Sequence, residues 1–246
     1  MNGEKIALVT GAVGFIGRAI TVGLIEDGFR LVLVDLDRKK LDEFAGSLPA
    51  GRTLSIDCDI SDPKAIEIAV KKVRDTWGTV DVLVNNAGIL SNNKAVETSP
   101  EEWKKILSVN LDGAFYFSRS VMEDMRRKHW GRIVNISSLA AKSGGITAGT
   151  AYSTSKGALI SLTFSLAAEL APFGVTVNGI APAYVKTPMV MEQLSPEQLR
   201  VVIEKIPVKR LCEAEEVAHT VSFLVHPLTG FITGEIIDQN GGLHFD

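Results

Sequence analysis

The sequence is poor in cysteine and histidine, and each shortage excludes a class of protein. Its 246 residues include two cysteines, Cys58 and Cys212, which form no metal or redox motif. We expect both to be free thiols in a reducing compartment, since two isolated cysteines do not make a disulfide framework. The four histidines are not spaced as metal ligands, so we expect no metal site.

Long apolar runs and a strong charge of one sign are also absent. The longest apolar-rich stretch, residues 158–171, is 14 residues long and interrupted by Ser and Thr, which suits a buried helix. The net charge of −3 gives no basic patch for a nucleic acid. The first strand-like run begins at Ile6, and we therefore expect no signal peptide before it. We therefore expect a cytoplasmic protein with neither a membrane nor a nucleic-acid partner.

The chain instead shows a regular alternation of strand-like and helix-like segments. Seven short runs of nearly continuous apolar character lie at 6–10, 31–35, 53–57, 80–85, 132–137, 175–181 and 235–238. Such runs are typical of a parallel sheet covered on both faces. The alternation predicts an α/β fold, a Rossmann-type doubly wound seven-stranded parallel sheet flanked by helices. We expect residues 1–246 to form a single domain, with a substrate-covering segment at about 183–211 because that connection is long.

Several of the predicted helices have recognisable start signals. Pro63 follows Asp62 and is typical of a first helical turn. The stretches SPEE at 99–102 and SPEQ at 195–198 predict capping boxes, in which the glutamate or glutamine reaches back to the serine.

The first strand leads into a glycine-rich stretch, GAVGFIG, that opens a helix. Its spacing is close to that of a dinucleotide-binding loop, in which glycines allow close backbone approach and the helix N-terminus offers amide donors to a pyrophosphate. The alternative is a glycine turn that holds no ligand. The residues that we expect to hold the pyrophosphate are Gly11, Gly14, Phe15, Ile16 and Gly17.

The second strand ends in an acidic residue, Asp35, 18 residues after Gly17. A carboxylate there can accept hydrogen bonds from the adenosine ribose hydroxyls and repels a 2′-phosphate. Arg38 and Lys39 follow, but we expect them on the solvated face of the next helix. The cofactor predicted is NAD rather than NADP.

The stretch AYSTSKGA places Tyr152 and Lys156 four residues apart, on one face of a helix. An ammonium group beside a tyrosine, together with a positively charged nicotinamide ring, favours the phenolate and would make the tyrosine a base. Ser138 ends the strand before this helix, and a hydroxyl there can bind a substrate oxygen. Asn110 stands inside a predicted helix, where asparagine is unfavourable without a specific bonding role. The alternative is a core tyrosine beside a solvated lysine.

Taken in order, these motifs resemble the short-chain dehydrogenase/reductase family, in its classical form, over essentially the full length. Besides the glycine loop, Asn110, Ser138 and the tyrosine–lysine pair, the matching stretches are NNAG at 85–88, IAPAYVKTPM at 180–189 and TGEIIDQNGG at 233–242. The chain looks most similar to the 3-oxoacyl-[acyl-carrier-protein] reductase branch.

The resemblance implies a role for each of the four polar residues. Tyr152 is expected to be the general acid/base, and Lys156 to lower its pKa and bind the nicotinamide ribose. Ser138 is expected to polarise the substrate carbonyl, and Asn110 to hold a water that relays protons to Lys156. The remaining cofactor contacts implied by the family are Asp59 and Ile60 beside the adenine, Asn86, Ala87 and Gly88 beside the ribose, and Pro182, Val185 and Thr187 beside the nicotinamide.

Two positions depart from the family pattern. Phe15 stands where a glycine is usual, and we expect it to place a ring near the pyrophosphate turn. Ala183 stands where a glycine usually follows the proline of the late motif. The glycine spacing resembles that of the family's extended branch, but we expect a classical member without the larger C-terminal substrate domain of that branch, because the later motifs are classical.

The substrate is less defined than the reaction. Reductases of the 3-oxoacyl-carrier type commonly carry arginines beside the cleft where this chain has His129 and Phe173. Because of this and Asp35, we expect an NAD-dependent enzyme that interconverts a small secondary alcohol and its ketone. The alternatives are a 3-oxoacyl-[acyl-carrier-protein] reductase, or a non-redox sensor or lyase on the same fold. The helices at about 100–127 and 151–171 resemble the family's dimer interface and imply a homotetramer.

Overall fold

The computed structural model describes residues 4–145, 147–193 and 195–245. Its seven strands form one parallel sheet in the order β3-β2-β1-β4-β5-β6-β7, which confirms the predicted fold class. The strands are β1 (Ile6–Thr10), β2 (Arg30–Asp35), β3 (Thr53–Asp57), β4 (Val82–Asn85), β5 (Gly131–Ile136), β6 (Val175–Pro182) and β7 (Ile236–Gln239).

Helices cover both faces of this sheet. They are α1 (Phe15–Glu26), α2 (Arg38–Gly46), α3 (Pro63–Thr76), α4 (Pro100–Leu107), α5 (Gly113–Lys128), α6 (Ala140–Ser143), α7 (Thr150–Leu170), α8 (Pro188–Gln193), α9 (Pro196–Lys205) and α10 (Ala214–Val225). Along β1 the side chains alternate between two cores, Leu8 on the side of α3 and α5, and Ala7 and Val9 on the side of α1 and α10. This is why the strands are apolar without a break.

One of the two predicted capping boxes is only half formed. Ser195 and Gln198 bond reciprocally at the start of α9, as predicted. Ser99 does accept a bond from the Glu102 amide at the start of α4, but the Glu102 carboxylate does not return to Ser99. It accepts bonds from the Ser91 hydroxyl and, at 2.8 Å, from Asn93 Nδ2. The side chain therefore ties α4 to the preceding loop instead of closing the box.

The helix expected over 100–127 is interrupted. A π-helical turn at Ser108–Asp112 separates α4 from α5, and Asn110 lies buried in it. The Asn110 side chain has the specific bonding role that was expected of it. It forms hydrogen bonds with both the amide and the carbonyl of Ile89.

The segment predicted to cover the substrate contains α8 and α9, and its two ends are tied down. Val185 pairs with Cys212, and the Lys186 amide donates to the Cys212 carbonyl at 2.8 Å. Beyond α9 the Val208 amide donates to the Gly241 carbonyl at 3.3 Å. Leu194 lies outside the described residues. Throughout the described part of the chain, no helix has the length and apolar character needed to cross a membrane.

Candidate active site

The carboxyl ends of β1, β4, β5 and β6 meet at one edge of the sheet, where chain connections leave in opposite directions from β1 and β4. Such a switch point leaves a crevice in which α/β proteins bind ligands. Thr10, at the end of β1, links the two neighbouring loops. Its hydroxyl accepts bonds from the amides of Asn86 and Ala87, both at 3.1 Å. Thr10 was not among the predicted site residues, although a threonine directly before the glycine loop was a usable signal.

The glycine loop has the geometry that a dinucleotide needs. Gly11 has a φ of +65°, and a Cβ added to Gly17 would lie 2.1 Å from the Gly11 carbonyl oxygen. The loop therefore packs backbone directly on backbone, with no space for a side chain at Gly17. The amides of Phe15, Ile16 and Gly17 form the first turn of α1 and have no intrahelical acceptor. The Phe15 side chain is almost half exposed, so the turn is held in place by the main chain of Phe15 and not by packing of its ring.

Asp35 is held beside this loop in a fixed orientation. One carboxylate oxygen accepts from the Val13 amide at 3.1 Å, and the other from the Leu36 amide at 2.8 Å. The nearby guanidinium of Arg38 is engaged with Asp42 at 2.9 Å and with Asp57 at 3.2 Å. The end of β2 thus presents a negative charge, and its neighbouring cation is already paired.

The two residues expected beside the adenine lie after β3. Asp59 is exposed, and its carboxylate accepts from the Ser61 amide at 2.9 Å and the Ser61 hydroxyl at 2.7 Å. The Ile60 side chain is buried in the core and touches the space next to Gly113. Any contact between Ile60 and a ligand must therefore come from its main chain.

Ser138 and Tyr152 come together from β5 and the first turn of α7. The Ser138 hydroxyl accepts from the Ala140 amide at 3.1 Å, which leaves its own hydrogen available for donation. Burial raises the pKa of Tyr152 above its usual value, and the hydrogen bond with Ser138 opposes that rise. The sequence-based expectation was a lowered pKa, but that expectation included a positively charged nicotinamide ring. For the chain alone the direction is upward, so the phenol is protonated at neutral pH.

Lys156 lies one turn along α7 and is buried. Its ammonium group donates to the Ile136 carbonyl at 2.8 Å and lies 5.9 Å from the centre of the Tyr152 ring. Burial lowers the pKa of Lys156 to about 8. The lysine is therefore close enough to neutrality to give up or accept a proton near physiological pH.

Asn110 approaches the same place from the π-helical turn. Its Oδ1 accepts from the Ile89 amide at 2.8 Å, and its Nδ2 donates to the Ile89 carbonyl and to Ser155 Oγ, both at 3.0 Å. A Cβ added to Gly88 would lie 3.3 Å from both Asn110 Oδ1 and Lys156 Nζ. Asn110 Oδ1 and Lys156 Nζ thus both lie next to the position that a side chain at Gly88 would occupy.

The late motif follows β6, the strand that pairs with β5. The Pro182 carbonyl accepts from the Leu139 amide at 2.9 Å, which fixes the turn after Ser138. Thr187 Oγ1 accepts from the Val190 amide at 3.2 Å and so caps α8, while Val185 is buried. Of these three residues, Pro182 is the one held directly beside the turn that follows Ser138.

The loop before α7 is fastened to the loop after β4. The Lys94 ammonium donates to the carbonyls of Gly145 at 2.8 Å and Ala148 at 2.7 Å. The Gly149 amide, directly before the start of α7, donates to the Ser91 carbonyl at 2.7 Å. This fastening, which the sequence analysis missed, fixes the start of the helix that carries Tyr152.

The two positions used to argue against a carrier-protein substrate are not beside this crevice. His129 leads into the beginning of β5 and Phe173 into the beginning of β6, so both lie at the amino edge of the sheet. The 21 residues of α7 separate them from Tyr152 by about 30 Å. The expectation that they flank the cleft is wrong for a single chain, and the argument built on them loses its force.

A doubly wound sheet with a glycine loop, an acidic residue at the end of β2 and a buried tyrosine–lysine pair is the arrangement of a nicotinamide-dependent oxidoreductase. The family model described as "Enoyl-(Acyl carrier protein) reductase" matches residues 11–244. The chain belongs to the short-chain dehydrogenase/reductase family, whose members are oxidoreductases acting on CH–OH groups.

Named relatives narrow the comparison. The chain is 37% identical to 3-oxoacyl-[acyl-carrier-protein] reductase of Vibrio cholerae, with 99% of each chain covered. It is similar to the crystal structure of a 3-oxoacyl-[acyl-carrier protein] reductase with bound NAD from Brucella melitensis, at 34% identity and a TM-score of 0.91, covering 100% of this chain and 93% of that one. The structure of NAD⁺-bound xylitol dehydrogenase is 32% identical with a TM-score of 0.91, covering 97% and 98%. These comparisons favour the 3-oxoacyl reductase alternative over a general alcohol dehydrogenase.

Proposed function

We propose that the protein reduces the 3-oxo group of an acyl thioester carried by acyl-carrier protein, giving the 3-hydroxyacyl thioester. The observation that carries the proposal is the meeting of Ser138, Tyr152, Lys156 and Asn110 around one crevice, in a chain that resembles 3-oxoacyl-[acyl-carrier-protein] reductases over nearly its whole length. His129 and Phe173, at the amino edge of the sheet, no longer count against this substrate, whereas Asp35 still favours the second candidate considered below.

The protonation state of Tyr152 in the chain alone suits the role of an acid in reduction. When bound, the reduced nicotinamide supplies a hydride to the carbonyl carbon. Tyr152, protonated because burial raises its pKa, donates its proton to the carbonyl oxygen, while Ser138 donates a hydrogen bond to the same oxygen. Lys156 and Asn110 then return a proton to the tyrosine from solvent, past the position that a side chain at Gly88 would occupy. The sum is one hydride and one proton added across the C=O bond.

The proposed cofactor is NADH. The support is Asp35, whose carboxylate is fixed by two backbone amides where a 2′-phosphate would lie, and Arg38, whose charge is taken up by two carboxylates. A phosphate there would meet a like charge in place of a free cation. The adenosine ribose hydroxyls, in contrast, can donate to the Asp35 carboxylate.

A panel of substrates tests the proposal directly. The purified protein is given NADH or NADPH together with an acetoacetyl group on acyl-carrier protein, on coenzyme A, or as a free ester, and loss of reduced-nicotinamide absorbance is followed. The proposal expects the largest kcat/KM with the carrier-bound thioester and NADH. Faster turnover of small ketones than of either thioester would overturn the substrate assignment, and a product formed with no net oxidation of NADH would indicate a lyase.

A second candidate is an NAD-dependent dehydrogenase of a polyol or other small secondary alcohol. The observation that favours it is again Asp35, since the xylitol dehydrogenase structure that this chain resembles has NAD⁺ bound. The same panel, run in the oxidative direction with xylitol and other secondary alcohols, separates the two. Oxidation of an alcohol with a kcat/KM above that for the thioester would favour this candidate.

We also keep as proposals a homotetrameric assembly, a cytoplasmic location and the role of 183–211 as a substrate cover. Support for the assembly comes from apolar side chains on α4, α5 and α7 that a single chain leaves partly exposed, namely Trp103, Phe115 and Phe164. Burying such side chains against another copy is favourable by about 25 cal/mol for each Å² of apolar surface. The two free thiols are in keeping with a reducing compartment.

A further inference from the structure

We propose that Gly149 is a positioning residue of the reaction, because its missing side chain lets the loop after β4 cap the first turn of α7. Tyr152 is the third residue of that helix, so the cap sets where its phenol lies. This inference rests on the proposed function, since it concerns the group that we propose as the acid.

The start of α7 has no side-chain cap. The first N–H groups of a helix lack intrahelical acceptors, and a Ser, Thr, Asp or Asn at the N-cap position usually supplies one. The residue at that position here is Gly149, which cannot do so. Instead its amide donates to the Ser91 carbonyl at 2.7 Å, and the Thr150 amide donates to the Asn93 carbonyl at 3.0 Å. Main-chain atoms of the neighbouring loop therefore replace the side-chain cap.

The close approach of this loop requires a glycine for reasons of space. Gly149 has a φ of −76° and a ψ of 168°, which any residue can adopt, so backbone strain does not demand a glycine. A Cβ added to Gly149 would lie 2.5 Å from the Asn93 carbonyl oxygen and 2.8 Å from both the Asn93 nitrogen and the Ser91 carbonyl oxygen. All three are main-chain atoms, so no side-chain rotation can relieve the overlap.

The capping loop is also held on its other side, which limits how far it can withdraw. The Glu102 carboxylate of α4 accepts from the Ser91 hydroxyl and, at 2.8 Å, from Asn93 Nδ2. The next loop residue, Lys94, is bonded to two carbonyls of the turn before α7. A side chain at the glycine should therefore displace the start of α7, and with it the Tyr152 phenol.

Two substitutions at the glycine separate a loss of capping from a steric clash alone. Gly149→Ala adds a Cβ and supplies no cap. Gly149→Ser adds the same Cβ together with a hydroxyl that can accept from the Tyr152 amide, as an N-cap serine does. The matched control is Gly157→Ala on the same helix, where an added Cβ would lie 3.8 Å from the Ala141 carbonyl oxygen, an ordinary contact.

The first test is steady-state reduction with NADH, with the NADH dissociation constant measured separately. Gly149→Ala should lower kcat about tenfold, because the acid is misplaced, and leave the NADH dissociation constant within about threefold. Gly149→Ser should have a kcat about fivefold above that of Gly149→Ala, since a serine cap shifts a helix start by about that factor. Gly157→Ala should keep kcat within about twofold. A wild-type kcat in Gly149→Ala, equal losses in the two variants at 149, or the same loss in Gly157→Ala would overturn the proposal.

Hydrogen exchange tests the proposal without turnover. The amides of residues 149–153 should exchange faster in Gly149→Ala, less so in Gly149→Ser, and at the wild-type rate in Gly157→Ala. Unaltered exchange in Gly149→Ala would contradict the proposal even if kcat falls. If Gly149→Ala does not fold, Lys94→Met, which removes two bonds from the same loop and adds no clash, should show the same loss of kcat and of protection. If the wild-type protein turns over none of the substrates, the proposed function fails, whereas the exchange rates still decide the role of Gly149.

Discussion

Replacing Lys156 by methionine should make the protein more stable at neutral pH while removing its activity. The ammonium group is buried, and burial lowers its pKa from 10.5 to about 8. At about 1.4 kcal/mol for each pH unit, holding that charge inside the fold costs about 3 kcal/mol below pH 8. Methionine has a similar length and no charge, but it leaves the Ile136 carbonyl without its donor, which costs about 1–2 kcal/mol. Lys156→Met should therefore be more stable by about 1–2 kcal/mol at pH 7.

The sign of this effect should change with pH. A lysine whose folded pKa is depressed destabilises the fold fully below that pKa, and the cost disappears as pH rises from about 8 towards 10.5. Urea unfolding at pH 7 and pH 10 should show the advantage of Lys156→Met vanishing or reversing. Lys39→Met, at a side chain that is 87% exposed, serves as the control and should show no such change. An advantage independent of pH, or a variant less stable at pH 7, would refute the reasoning.

Three further predictions concern the cofactor and the assembly. Asp35→Ser should raise kcat/KM for NADPH relative to NADH by about tenfold or more, because a like charge is removed; an unchanged ratio would contradict the role of Asp35. Gly17→Ala should abolish NADH binding in a fluorescence titration because its Cβ would lie 2.1 Å from a carbonyl oxygen, whereas Gly46→Ala, with open space around it, should bind normally. Phe164→Glu should reduce the molar mass seen by light scattering, and an unchanged mass would exclude α7 from the interface.

The sheet and the approximate positions of its strands could be predicted because their physical causes are local. Continuous apolar runs, a glycine loop after the first strand and Asp35 after the second are each visible in a few residues. The incomplete capping box at Ser99 could not be predicted. The Glu102 carboxylate binds Ser91 and Asn93 instead, and these two residues become its neighbours only in the folded chain. The break in the helix at Asn110 has the same origin, because its partner Ile89 is 21 positions earlier.

The positions of the site residues were predicted better from the sequence than the pKa values of their side chains. Tyr152 and Lys156 share a helix face by spacing alone, but the direction of the Tyr152 pKa depends on burial, which a sequence does not give. The error over His129 and Phe173 has a topological cause. Both residues precede strands and so lie at the amino edge of the sheet, whereas the crevice lies at the carboxyl edge.

The central claim is that this chain is a reductase in which the Tyr152 hydroxyl delivers the proton, and Tyr152→Phe tests it most directly. The measurement is steady-state reduction of a carrier-bound acetoacetyl thioester by NADH, with NADH affinity measured separately by titration. The account predicts that kcat falls by at least about 10²-fold while NADH binds within about twofold of wild type, since the ring remains and only the acid is lost. A phenylalanine variant that retains kcat within about tenfold of wild type would contradict it.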